Sequence, residues 1–357
     1  MSRFYDFIKS FGLDKIEDYT FVKTLNNGSA LSALYKKDSN LVVVKFLICP
    51  RNDIELERFK LEYSVLYMNK LNSYYSGEGY KLDSRIFHGP KESYPLPKIV
   101  IDYKECGYGF ISYFGYKYME GVLLSEIDST KMSTDEKCYL VYRIASALNY
   151  FNFSGYSHRD LHPNNILLLP DPQMARNDYE LNNPKVIILD MGSCQKNIDI
   201  RSHLEPEIER NVDEKLVFDD NNRRLLSSFI SMPPDFILKG EDTKNYDSWA
   251  VGVLFYDLIF GEKPYDPKGI NDVTNLRVKK EYSSSFRNNL NTIDTSLKLI
   301  IEHLLEPSGD RRPTTDAIVR LLWNYLYNKQ FSKDKEYAKY IILNGGHDPN
   351  IEHDDWG

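Results

Sequence analysis

Apolar positions recur at two periods along the chain, and the architecture changes where the period changes. Over residues 3–12, Phe4, Phe7, Ile8 and Phe11 fall at i, i+3, i+4 and i+7, which predicts a helix with one apolar stripe packed on its own domain. From Tyr19 to about Ile48, short β-type runs are broken by Asn26-Asn27-Gly28 and by Lys36-Lys37-Asp38-Ser39-Asn40, which predicts antiparallel hairpins. Residues 53–72 return to helical spacing, 73–98 read as loop with room for one strand, and 99–118 as two further strands. Beyond Met119-Glu120-Gly121 the pattern is mainly helical. Ser133-Thr134-Asp135-Glu136 is a capping box that opens a helix to about Ser154. Two β runs follow at 166–169 and 186–189, residues 193–231 are polar and irregular, and helices resume at about 245–260, 295–306 and 314–327. Residues 332–357 read as a partly unpacked tail. A β-rich part followed by a larger helical part predicts an α+β protein of two lobes. The boundaries are an extension at 1–18, a small lobe at 19–116, a joint at 117–121, a large lobe at 122–330 and a tail at 331–357.

Composition narrows the function classes. In 357 residues, a 42% hydrophobic fraction with 27 Tyr and 18 Phe supplies ample core material and excludes wholesale disorder. Lys plus Arg number 45 against 52 Asp plus Glu, a net charge of −7, which disfavours a primary nucleic-acid role. Cys49, Cys106, Cys138 and Cys194 form no Cys-x-x-Cys pair, so neither a zinc ribbon nor a disulfide scaffold is expected. The first residues lack the apolar core of a signal peptide, and the apolar run Trp249–Phe260 is interrupted by Asp257 and too short to span a bilayer. The expectation is a soluble, cytoplasmic protein.

Four groups of residues carry chemistry. In His158-Arg159-Asp160-Leu161-His162-Pro163-Asn164-Asn165, Asp160 and Asn165 are oxygen-bearing side chains in a turn fixed by Pro163. Such a turn can aim a carboxylate at a hydroxyl proton and a carboxamide oxygen at a divalent cation. The apolar run Val186–Leu189 ends in Asp190-Met191-Gly192, a strand end that fixes one carboxylate. Lys45 sits inside the apolar run Leu41–Leu47 and needs an anionic partner if buried; a lysine snorkelling from an edge strand is the alternative. Glu62 lies on the apolar face of the 53–72 helix with Phe59, Val65 and Leu66, while Glu55 and Glu57 are rival partners. Finally, Leu25-Asn26-Asn27-Gly28-Ser29-Ala30-Leu31 is a turn in which Gly28 alone allows close backbone approach to a phosphate; an ordinary hairpin is the plainer reading.

The order of these pieces resembles the eukaryotic-type protein kinase family, whose motif set is a Gly-rich loop, a strand Lys, a helix Glu, a catalytic loop and Asp-Phe-Gly. Further strings fit: Met232-Pro233-Pro234-Asp235, Asp247-Ser248-Trp249-Ala250-Val251-Gly252, Gly261-Glu262-Lys263-Pro264-Tyr265 and Arg312-Pro313-Thr314. The resemblance covers about residues 19–330 and implies a bilobal kinase-like fold with a small antiparallel β lobe plus one helix and a larger helical lobe. It also implies an ATP- and Mg²⁺-dependent protein serine/threonine kinase, with Mn²⁺ as a substitute ion and protein substrates as partners. Asp160 matches the catalytic base, Asn165 and Asp190 the metal ligands, Lys45 the α/β-phosphate lysine held by Glu62, and Arg159 the arginine that reads the activation segment. Leu25, Ala33, Val43 and Leu167 match the nucleotide walls, Gly28 the glycine of the phosphate loop, Tyr116 the gatekeeper, and Lys117 and Met119 the backbone that bonds adenine. Asp235 and Arg312 match a buried ion pair.

Departures temper this picture. Asn26 and Leu31 stand where the family usually has Gly, and His162 stands where Ser/Thr kinases usually carry a Lys on the γ-phosphate. Two alternatives follow: a pseudokinase scaffold, and a small-molecule kinase, the latter from the Asp160-Leu161-His162-Pro163 string. The segment from Asp190 to Asp235 is long, 45 residues. In it Ser228 matches the residue that bridges to the catalytic Asp. Asp213, Glu214, Asp219, Asp220 or a phosphoserine are the expected partners of Arg159.

Overall fold

The computed structural model describes residues 3–27, 31–75, 96–107, 109–153, 156–169, 185–196, 230–239, 245–266, 270–328 and 330–347. The chain divides into two compact units. The first comprises Met1–Lys81, Leu96–Glu120 and Leu189–Ser193, and the second holds the rest.

The first unit is built on one antiparallel sheet. Its strands are β1 (Lys15–Ile16), β2 (Tyr19–Asn27), β3 (Leu31–Lys37), β4 (Asn40–Ile48), β5 (Ile99–Cys106) and β6 (Ile111–Lys117), in the order β1-β2-β3-β4-β6-β5. Pleating sends alternate residues of β4 to opposite faces. Val42, Val44 and Phe46 pack into a core with Ala33, Tyr35 and Ile101, closed by Ile8 of α1 (Arg3–Ser10). Phe4 meets Phe46 edge-on at 5.7 Å, and the Tyr35 hydroxyl donates to the Leu13 carbonyl at 2.6 Å. Burying Ile8 alone contributes roughly 1.5–3 kcal/mol. The predicted stripe of α1 therefore packs as expected, except that Phe11 stays 43% exposed because the helix ends at Ser10. Val43, Lys45 and Leu47 point to the other face. Helix α2 (Asp53–Tyr75) belongs to this unit, with Phe59, Glu62, Val65 and Leu66 buried.

The second unit is mainly helical. Its strands are short: β7 (Val122–Leu123), β8 (Tyr156–Ser157), β9 (Ile166–Leu169), β10 (Lys185–Ile188) and β11 (Gln195–Lys196). β9 lies between β7 and β10. Gly121 leads into β7, where a Cβ would fall 2.5 Å from the Leu168 carbonyl oxygen. Among the described residues the helices are α3 (Thr134–Phe153), α4 (Pro234–Lys239), α5 (Tyr246–Phe260), α6 (Ile270–Lys279), α7 (Phe286–Leu290), α8 (Thr295–Leu304), α9 (Thr315–Tyr327) and α10 (Lys335–Leu343). The capping box at α3 forms in both directions: the Ser133 N–H donates to Glu136 at 2.7 Å, and the Glu136 N–H donates to the Ser133 hydroxyl at 3.2 Å. Helix α5 is buried almost all round, with Trp249, Phe255 and Tyr256 fully enclosed. Gly252 allows α8 close to it, since a Cβ there would meet Leu304 at 2.9 Å.

Within 332–357 the described residues, up to His347, include a packed helix. α10 buries Ala338, Ile341 and Ile342, and Phe331 before it is fully buried. Among the described residues, no helix is long and apolar enough to cross a membrane.

Candidate active site

In the first unit the charged face of β4 is resolved. Lys45 Nζ donates to both Glu62 carboxylate oxygens, at 2.8 and 2.7 Å, and both residues are buried. Lys45 therefore does not snorkel. The rival Glu55 is bonded to Arg51 instead. Asp190 adds a second carboxylate 3.6 Å from the same ammonium, with its side chain 43% exposed. Burial opposes the lysine's charge, but Glu62 and Asp190 outweigh it and raise the Lys45 pKa. Burial lifts Glu62 to about 7; Lys45 pulls it back, Asp190 pushes it further up, and the Met191 N–H bonds it. Asp190 holds a left-handed backbone, φ +61°, followed by a short 3-10 turn at Met191–Ser193 whose Met191 is fully buried. Tyr116 lies within electrostatic reach of this cluster, and burial pushes its hydroxyl up to about 12.

Register sorts the expected nucleotide walls. Val43 pairs with Leu34 and Lys45 with Ser32, whereas Ala33 pairs with Val44. Paired residues share a face, so Ala33 belongs to the core behind the sheet, with Ile8, and not to the face of Val43 and Lys45. On β3, Leu34 is the residue that shares the face of Val43. The β2–β3 register slips between Thr24 and Asn26, leaving half-buried Leu25 out of the pairing. The Lys117 N–H is committed to the Lys98 carbonyl at 2.8 Å and the Tyr118 N–H to the Leu41 carbonyl at 3.0 Å. The Lys117 N–H is thus already committed; Met119 is half-buried. Gly28 lies outside the described residues.

In the second unit the loop after β8 carries Asp160, His162 and Asn165. Asn165 sits in a 3-10 turn opened by Pro163, is buried, and donates through Nδ2 to the Asp160 carbonyl at 2.9 Å. That bond directs its Oδ1 away from the loop. His162 Nε2 is 3.8 Å from Asp160 Oδ2. His158 is fully buried, and its Nδ1 accepts from the Asp160 N–H at 3.3 Å. Leu167 is half-buried on β9, paired with Ile187 and Leu123.

Sequence reading named Asp247 only within the family-like string Asp247–Gly252 and gave it no role at the site. Its carboxylate, on a residue 2% exposed, accepts the His158 N–H at 2.8 Å, the Arg159 N–H at 2.9 Å and Asn152 Nδ2 at 2.8 Å. Arg159 has φ +65°, so this carboxylate holds a strained backbone one residue before Asp160. A lone acid in the first turn of the most apolar helix was the available signal. The Arg159 guanidinium lies over the rings of Phe236 and Tyr246, at 5.2 and 5.3 Å. Its expected partners, Asp213, Glu214, Asp219 and Asp220, lie outside the described residues, as does Ser228. The expected Asp235–Arg312 contact is present at 3.1 Å and buried; burial lowers the Arg312 pKa and Asp235 opposes that.

The profile of the protein kinase domain matches residues 97–324. Among curated proteins, Flippase kinase 1 of Saccharomyces cerevisiae is 27% identical over 50% of this chain and 19% of its own length. Testis-specific serine/threonine-protein kinase 1 of Homo sapiens is 24% identical over 57% of the chain and 48% of its own. Serine/threonine-protein kinase ULK3 of Rattus norvegicus is 26% identical over 45% and 28%. The matched stretch thus spans less than half the length of each of these relatives.

Proposed function

The chain belongs to the protein kinase family, and we propose that it transfers the γ-phosphate of ATP, with Mg²⁺, to serine or threonine hydroxyls of protein substrates. The observation that carries this reading is Lys45, buried and clamped by Glu62, with the accessible carboxylate of Asp190 3.6 Å away. Phosphoryl transfer rests on positioning and charge stabilisation, and a fixed ammonium beside an exposed hard-oxygen ligand is suited to both.

The residues fit the group they would hold. Asp190 offers carboxylate oxygens in the first unit, and Asn165 offers a carboxamide oxygen whose amide end is already spent on Asp160. A divalent cation bound by such oxygens would neutralise phosphate charge. Lys45 would hold the α- and β-phosphate oxygens. Asp160 would orient the acceptor hydroxyl and take its proton at Oδ, its backbone fixed through Arg159 by Asp247. His162, an imidazole where a lysine usually stands, would donate a hydrogen bond to the γ-phosphate. Val43, Leu34, Leu25 and Leu167 would wall the adenine, Tyr116 would limit its depth, and the Lys117 carbonyl and Met119 backbone would bond it. Serine/threonine preference is supported by the names of the relatives and by the place of Ser228.

A pseudokinase is the second reading, favoured by Asn26 and Leu31, which enter the β2–β3 ladder in place of a glycine-rich loop. One experiment separates the two. With γ-labelled ATP and Mg²⁺, label is expected on the protein or on a generic basic protein, as phosphoserine or phosphothreonine. Asp160→Asn and Asp190→Ala should each lower it by about 10²-fold or more. A folded wild type that binds nucleotide but transfers no label would overturn the protein-kinase reading, and a screen of small-molecule acceptors would then separate the pseudokinase from a small-molecule kinase.

A further inference from the structure

We propose that Thr315 is a positioning residue for Asp160, acting through Asn152 and Asp247; the inference rests on the phosphotransfer reading above. Thr315 is the first residue of α9 and is 5% exposed. Its hydroxyl is not the helix cap, because Thr314 fills that role by accepting the Ala317 N–H at 3.1 Å. It points inward, 2.9 Å from Asn152 Oδ1 and 3.2 Å from Asn149 Oδ1. A hydroxyl carries one proton, and the shorter contact gives it to Asn152.

Asn152, on α3, is then committed at both ends. With Oδ1 accepting from Thr315, its Nδ2 donates to the Tyr156 carbonyl at 2.8 Å and to Asp247 Oδ2 at 2.8 Å. These contacts fix the amide's orientation and leave it a donor toward Asp247. The Asp247 carboxylate is met by three N–H donors among the described residues: Asn152 Nδ2 and the backbone N–H groups of His158 and Arg159. In a dry site each of those donors offsets the desolvation of a carboxylate. Loosening one shifts the group that holds the other two. Those two fix the left-handed Arg159, and Asp160 is next in the chain. Three helices thus bear on one backbone turn, through hydrogen bonds and without touching any reacting atom.

The test is Thr315→Val, which keeps the shape and removes the hydroxyl, beside Thr315→Ser, which keeps the hydroxyl. The valine variant is expected to lose about tenfold in kcat with KM for ATP unchanged, and the serine variant to stay near wild type. A valine variant with wild-type kcat, or a serine variant as impaired as valine, would overturn the proposal. Thr315→Ala makes no steric demand and provides a second measurement. Amide hydrogen exchange at His158 and Arg159 is expected to quicken while the amides of α5 stay unchanged; unaltered exchange at both sites would also overturn it. Should wild type transfer no phosphate, the phosphotransfer reading fails, and the exchange experiment still decides whether Thr315 fixes this turn.

Discussion

A carboxyl group buried beside an ammonium and a second carboxylate titrates where neither neighbour alone would place it. Glu62 starts from 4.5 and reaches about 7 in the fold, lifted first by burial, held back by Lys45 and lifted again by Asp190. Between those values the folded protein keeps a proton that the unfolded chain has released. From this group, stability therefore falls as pH rises across that window. Glu62→Gln removes the titration. Urea midpoints at about pH 5 and about pH 7 should show a larger decline for wild type than for the variant; equal declines would contradict the assignment. The Lys45–Glu62 pair was legible in the sequence because a lysine in an apolar strand and a glutamate on an apolar helix face each require a partner. The grip of Asp247 on Arg159 was not. Two of its three partners among the described residues are backbone N–H groups, which every residue but proline has, so no side-chain pattern points to them.

Strands set the faces of the site, and here sequence alone fell one residue short. Leu41–Leu47 is apolar on both faces, so β4 carries no alternation from which to read inside and outside. The face of Ala33 is decided by pairing with Val44, and the β2–β3 slip lies just upstream. A one-residue offset moves a side chain through the sheet. Ala33→Leu should then overpack the core under α1 and destabilise by about 1–3 kcal/mol, with nucleotide affinity near wild type. Thermal unfolding and binding of a non-hydrolysable ATP analogue check both halves. Unchanged stability with weakened binding would return Ala33 to the Lys45 face. Helix α3 was easier to read, since Ser133 and Glu136 mark its start by a local exchange of hydrogen bonds.

At the scale of the molecule, the division into a β-rich and a helical unit followed from the change in hydrophobic period near residue 120. The buried Arg312 ties the helical unit together. It pairs with Asp235, donates to the Asn245 carbonyl at 3.1 Å and lies 5.4 Å from the Trp249 ring. Losing either charge would strand the other without compensation. The order of motifs announced that pair, but little announced α10, whose apolar set of Ala338, Ile341 and Ile342 is short and sits in a charged stretch. Yet the Ser296 hydroxyl donates to the Phe331 carbonyl at 2.7 Å, and Arg320 Nε donates to the Gly345 carbonyl at 2.8 Å. The bench consequence concerns where to place a stop codon. The family match ends at 324, inside α9, and a fragment terminated there would lack the Phe331 plug and α10. It is expected to melt about 5 °C or more below one terminated after His347, and to be recovered mostly as aggregate. Equal melting temperatures and yields would show α10 to be dispensable.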